Sequence, residues 1–156
     1  MKRATRIFLN DKKLISNKCR FVSVKPIYID GALLNHCYQN ASKLCDTDEK
    51  YIIQSGWLIG DYFGKNGTAI IPHYWVIDSE THIAYDSTPF NDNQNFDYVF
   101  DFTVMEYASP QSILPPCLKL LDNGKYLIRL DKDYFIDADT IETSFLYQKL
   151  YEAELL

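Results

Sequence analysis

One thiol, one imidazole and one carboxylate stand in an order that could activate a nucleophile: Cys37 in "NHCYQNA", His73 at the head of "HYWVID", and Asp86 in "AYDST". A cysteine attacks a carbonyl carbon as the thiolate, and near neutral pH it needs a neighbouring base to reach that state. The base in turn needs a partner that fixes its tautomer and stabilises its charged form. Cys37, His73 and Asp86 are therefore candidates for nucleophile, general base and orienting carboxylate in acyl transfer.

That assignment makes demands on the surrounding elements. Leu34, Cys37, Ala41, Leu44 and Cys45 recur at helical spacing, which predicts a short amphipathic helix from about Asn35 to Leu44, with Asn35 as its cap and Cys37 near its start. Free amides and the positive end of the dipole at such a start favour a thiolate and can donate to an oxyanion. The Cys37 amide is the first candidate donor; Asn35 and Gln39 are candidates for the second.

Segments 51–63, 68–78 and 82–90 read as an antiparallel meander, turning at Lys65-Asn66-Gly67 and Ser79-Glu80-Thr81. Side chains alternate across a strand, so His73 and Asp86 share a face only if an even number of residues connects their strands. A two-residue turn sets them directly opposite. A four-residue connection puts Trp75 opposite Asp86 and leaves His73 diagonal to it, whereas an odd loop parts the pair. The same alternation groups His73, Trp75 and Ile77 on one face and Tyr74, Val76 and Asp78 on the other. Trp57, Tyr74 and Trp75 are the candidate substrate-groove aromatics, Trp75 being the best suited to a core role.

Elsewhere, segments 5–9 and 21–30 carry the β-branched and aromatic residues of extended chain, and 98–107 reads as a strand. The proline-rich stretch 109–121 is expected to be irregular or briefly helical, 125–137 a strand pair. From Asp139 a capping-box pattern with Glu142, followed by Ile141, Phe145, Leu146, Leu150 and Leu155, predicts a C-terminal helix on the sheet. These elements make one α+β domain over residues 1–156 with a mainly antiparallel sheet.

The order "NHCYQNA", "YIIQSGW", "HYWVID" and "AYDST" resembles the transglutaminase-like core of the papain-like cysteine hydrolases, over about residues 33–90. The resemblance implies a nucleophile-bearing helix packed on an antiparallel sheet, with Cys37 as nucleophile, His73 as general base and then acid, and Asp86 as the orienting carboxylate. It also implies acyl transfer from an amide or ester through a thioester: proteolysis, deamidation, amide hydrolysis or crosslinking to an amine. The alternative is a non-catalytic protein-binding module on the same fold, for which the acidic balance, residues 91–156 and the aromatics of "FDYVF" speak.

Composition narrows the remaining classes. A net charge of −5 with no basic stripe argues against duplex nucleic acid as a partner. The opening "MKRATRIFLNDKK" has no apolar secretory core and no run nears 18 apolar residues, so no membrane association and a cytoplasmic setting are expected. Cys19, Cys37, Cys45 and Cys117 are then expected as thiols, with Cys45 in the core. The spacing of His36, Cys37, Cys45, His73 and Asp86 offers no local metal-ligand pair, and no glycine-rich loop suits a nucleotide, so no cofactor is expected. His36 and His82 are expected at the surface.

Overall fold

In the ten residues from Tyr51 nearly every side chain is aromatic, β-branched or small, and the eleven from Thr68 repeat that composition. In the computed structural model, which describes residues 1–11, 18–60, 67–90, 95–107, 117–131 and 134–137, these two segments are the longest strands and the centre of the sheet. The elements run α1 (Arg3–Asn10), β1 (Arg20–Val22), β2 (Val24–Pro26), α2 (Cys37–Thr47), β3 (Tyr51–Gly60), β4 (Thr68–Asp78), β5 (Ala84–Asp86), β6 (Asp97–Phe100), α3 (Phe102–Tyr107), β7 (Cys117–Leu120), β8 (Tyr126–Asp131) and β9 (Tyr134–Asp137). They form one nine-stranded sheet in the order β1-β6-β3-β4-β7-β8-β9, with β5 also on β4 and β2 parallel to β5. The class is α+β with a mainly antiparallel sheet.

The helices bury their apolar residues on one face. Phe8 of α1 meets Trp57 edge-on, with ring centroids 5.9 Å apart, within a core that includes Ile59, Ile70, Val99, Val104 and Leu118. Alongside, Ala41 and Leu44 of α2 pack on Tyr74 and Val76. Alternation along β4 turns His73 and Trp75 to the reverse face, and the pairing of Leu58 with Ile71 and Tyr98 brings Tyr98 there too.

Several expectations are corrected. Residues 5–9 lie in helix α1, because burial of Thr5 and Phe8 at a three-residue spacing outweighs the strand propensity of Thr, Ile and Phe. Segment 98–107 divides at Asp101: β6 ends, Asp101 accepts from the Thr103 amide at 3.0 Å and its hydroxyl at 2.6 Å, and α3 follows. The "FDYVF" aromatics are half-buried rather than exposed: Tyr98 and Phe100 lie in β6, which is held between β1 and β3, and Phe96 just precedes it. In the strand expected over 82–90 only Ala84–Asp86 is extended. The pair over 125–137 forms as β8 and β9. The Lys65-Asn66 turn, most of the 109–121 stretch and the C-terminal helix lie outside the described residues.

Gly56 sits opposite both His73 and Phe100. A Cβ there would collide with the Val99 carbonyl oxygen and come within 2.7 Å of Trp75 Cη2. The missing side chain thus lets β6 and the Trp75 ring close on β3. Gly56→Ala should lower unfolding stability by about 2 kcal/mol or more, as overpacking does when backbone must yield. Urea denaturation measures it, and a loss below about 0.5 kcal/mol would show that the approach is not tight.

Candidate active site

The reach of α2 toward the sheet is set by the loop before it. Ile27 N–H donates to Asp86 O at 2.9 Å, and Lys43 Nζ donates to Gly31 O at 2.9 Å. The buried Asn40 side chain grips Leu33 at both ends, donating from Nδ2 to its carbonyl at 2.7 Å and accepting its amide on Oδ1 at 3.0 Å. Gly31 and Asn35 turn the loop with φ of +73° and +61°, a region glycine and asparagine tolerate. Asn35 is therefore not the cap: that place falls to His36, whose side chain makes no cap bond and whose Nδ1 lies 2.8 Å from Leu34 O. The first intrahelical bond is Asn40 N–H to His36 O, so the amides of Cys37, Tyr38 and Gln39 precede the ladder.

The hairpin carrying the other two residues has an even register. Val76 lies opposite Tyr85 and Ile77 opposite Ala84, and Asp78 N–H donates to Ile83 O at 2.9 Å. Ser79 to His82 form a four-residue connection in which Asp78 Oδ1 accepts from the amides of Glu80 and Thr81, and His82 has φ +59°. Continued one residue beyond Val76 and Tyr85, this register faces Trp75 with Asp86 and places His73 diagonal to the carboxylate. His73 Nε2 lies 2.6 Å from Asp86 Oδ2, with the two residues 4% and 3% exposed.

Since Asp86 occupies Nε2, the hydrogen bond between the imidazole and Cys37 falls to the other ring nitrogen, Nδ1. The Cys37 sulfur also accepts from the Tyr74 backbone amide. That amide is available because Asp78 N–H points away from β3, and two-residue alternation sends Tyr74 N–H to the same edge. On this edge β7 pairs with Thr68–Ile70 and β5 with Val76 and Ile77. Among the described residues no strand pairs with 71–75 on this second edge, opposite β3, and Cys37 enters at that gap.

The electrostatics favour a charged pair. Burial pushes the Cys37 thiol up, but the His73 charge and its hydrogen bond, with the Tyr74 amide, bring it below its ordinary 9.0. Burial pulls His73 down, yet Asp86 and then Cys37 outweigh it and hold the imidazolium up to about 10. For Asp86 burial acts upward, and the His73 charge with donors from His73, Thr88 and Tyr98 keeps the carboxyl below its usual value.

Two further residues complete the shell. Thr88 N–H donates to Asp86 Oδ1 at 2.8 Å, and Tyr98 Oη donates to Oδ2 at 2.8 Å. Phe90 and Trp75 lie with ring centroids 5.7 and 6.4 Å from that of His73, and Trp75 Nε1 donates to Gln54 Oε1 at 3.1 Å. The groove assignment of three aromatics is corrected. Trp57 is fully buried on the helix face and donates to Asp101 Oδ2 at 2.9 Å, Tyr74 lies edge-on to Tyr38 with centroids 5.1 Å apart, and Trp75 is 1% exposed. All three are spent on packing, because strand alternation turns them into cores. Of the suggested oxyanion donors, Asn35 is exposed and Gln39 half-buried in the first turn. Cys45, in α2, is half-buried against the cluster of Ala41, Leu44, Tyr74 and Val76, and His82 is exposed. All four cysteines are free thiols, and no metal-binding cluster occurs among the described residues.

No protein-family model matches the chain, and no curated protein or solved structure matches it either. No helix among the described residues is long and apolar enough to cross a membrane.

Because Asp86 is held below 3.8, its stabilisation is complete above the unfolded value and is lost as pH falls through the folded one. Between pH 5 and 2 the wild type should therefore lose unfolding free energy more steeply than Asp86→Asn, by up to about 1.4 kcal/mol per pH unit for one proton. Parallel curves from urea denaturation would deny Asp86 its ionised partnership.

Proposed function

We propose that this protein is a thiol-dependent hydrolase or acyltransferase that acts on amide bonds of a peptide, a protein side chain or a small amide, with a transglutaminase-like, papain-like core. One observation carries the reading: His73 hydrogen-bonds both to a half-buried thiol and, through Nε2, to a buried carboxylate. Either contact alone is common in a protein interior. The chain of three, with a helix start at the sulfur and an unpaired strand edge beside it, has the parts that acyl transfer needs.

In this mechanism the Cys37 thiolate attacks the carbonyl carbon while the carbonyl π pair moves to oxygen. The oxyanion forms beside the start of α2, where the Cys37 amide donates to it. Collapse expels the amine as His73 Nδ1–H delivers its proton to the leaving nitrogen, which leaves a thioester on Cys37 and a neutral imidazole. His73 then takes a proton from water or from an acceptor amine as that group attacks the thioester. Collapse returns the thiolate and imidazolium, with an acid or a new amide as product. Asp86 stays ionised throughout and stabilises the imidazolium it faces.

The buried aromatics leave specificity to backbone and loop. Chain 27–36, tied to α2 by Asn40 and Lys43, presents Tyr28, Leu33 and Leu34 at 87%, 55% and 53% exposure ahead of Cys37. An acyl donor entering the gap at 71–75 would pass beside this rim.

His73→Ala removes both the charge and the hydrogen bond that lower Cys37, leaving burial to raise it. Iodoacetamide alkylation of Cys37 at pH 7, followed by peptide mass spectrometry, should slow by about two orders of magnitude. Equal rates in variant and wild type, or a wild type no faster than the unfolded chain, would refute the thiolate mechanism.

A further inference from the structure

The hydroxyl of Tyr98 is a third donor to the orienting carboxylate, and it comes from a strand with no other part in the chemistry described above. Resting on the thiol-enzyme reading, we propose that Tyr98 is a positioning residue which shares Asp86 Oδ2 with His73 and so fixes the carboxylate and keeps it charged against the imidazole. The geometry is specific. Tyr98 Oη lies 2.8 Å from Oδ2, the oxygen that His73 Nε2 approaches at 2.6 Å, while Thr88 N–H holds Oδ1 at 2.8 Å. With both oxygens tied from outside the imidazole, the carboxylate cannot rotate away from His73 without breaking a bond.

The ring is as constrained as the hydroxyl. It meets Trp75 edge-on with centroids 5.5 Å apart and an 87° interplanar angle, and lies 6.1 Å from the His73 ring at 65°. β6 is set against β3 by pairing of Leu58 with Tyr98 and of Gly56 with Phe100, so the phenol is delivered by sheet register. Burial first, then the Asp86 charge, push the Tyr98 phenol far above its ordinary range. It therefore stays a donor at every pH at which the triad works. A carboxylate deprived of that donor is less stable as an anion and takes up a proton at higher pH; the imidazolium then loses its counter-charge, whereas the Cys37 thiolate, which the Asp86 charge opposes, does not share that loss.

The test is the pH titration of the Asp86 carboxyl carbon, followed by carbon-13 NMR, in the wild type and Tyr98→Phe, which keeps the ring contacts and deletes the hydroxyl. In the variant the Asp86 titration limb should move up by roughly one pH unit. A packing role for the hydroxyl would lower the melting temperature and leave the limb in place, so superimposed profiles overturn the proposal. Should Tyr98→Phe not fold, a fluorinated tyrosine at position 98, a stronger donor, must move the limb down, and an unmoved limb there is equally fatal. A wild-type Cys37 no more reactive toward iodoacetamide than in unfolded chain defeats the enzyme reading itself. Fast wild-type alkylation with an unmoved Asp86 limb in the variants defeats the role of Tyr98 alone.

Discussion

The contact between His73 Nε2 and Asp86 Oδ2, at 2.6 Å and almost without solvent, is the constraint around which the rest of the molecule is arranged. A charge removed from water is costly unless it is paired and hydrogen-bonded. Each neighbour answers part of that cost: Thr88 and Tyr98 supply donors to the carboxylate, Cys37 supplies the opposite charge to the imidazolium, and Trp75 and Phe90 exclude water around the ring. Remove the carboxylate and the imidazolium loses its largest source of support; remove the imidazole and burial alone acts on the thiol.

The supports come from all along the chain. Asp86 is carried by the short strand β5, which is held by β4 on one side and β2 on the other, and the Ile27 amide caps the end of that pairing by donating to the Asp86 carbonyl. The same stretch continues through Gly31 and Leu33 into the helix that bears Cys37, with Asn40 and Lys43 clamping it. Cys37 and Asp86 are thus linked through one loop whose backbone is fixed at three points. On the far side, a second buried polar cluster links Ser55, Trp57, Asp101 and Thr103 where β6 passes into α3. It anchors the strand that delivers Tyr98.

Much of the site could be read from the sequence because it rests on local patterns. The periodicity around Cys37, the alternation in "HYWVID" and the even-register requirement each depend on a few neighbouring residues, and the four-residue connection at 79–82 meets that requirement. Asp101 followed by Thr103 is also a local cap signal, and it marks where the strand expected over 98–107 had to end. Tyr98 was beyond such reading. Its place beside Asp86 depends on β6 lying between β1 and β3, segments some 80 and 40 residues away in the chain, which no local pattern encodes. Helix α1 was hidden for a similar reason, since Phe8 becomes helical core only once Trp57 is there to meet it. Trp57, Tyr74 and Trp75 show the converse error: an aromatic near a reactive residue in sequence is most often packing material.

The gap along β4 has a second meaning. An unpaired run in the middle of a sheet is a template for any passing extended chain, and proteins usually blunt such edges. Here two residues do so. Pro72 has no amide to offer, and the Tyr74 amide is engaged by the Cys37 sulfur. The Cys37 side chain therefore also acts as a guard on the sheet, and alkylation or oxidation of Cys37 would withdraw that guard and leave the Tyr74 amide seeking a partner. Modification of Cys37 would then cost colloidal stability, a link between side-chain chemistry and aggregation that begins at a single backbone N–H.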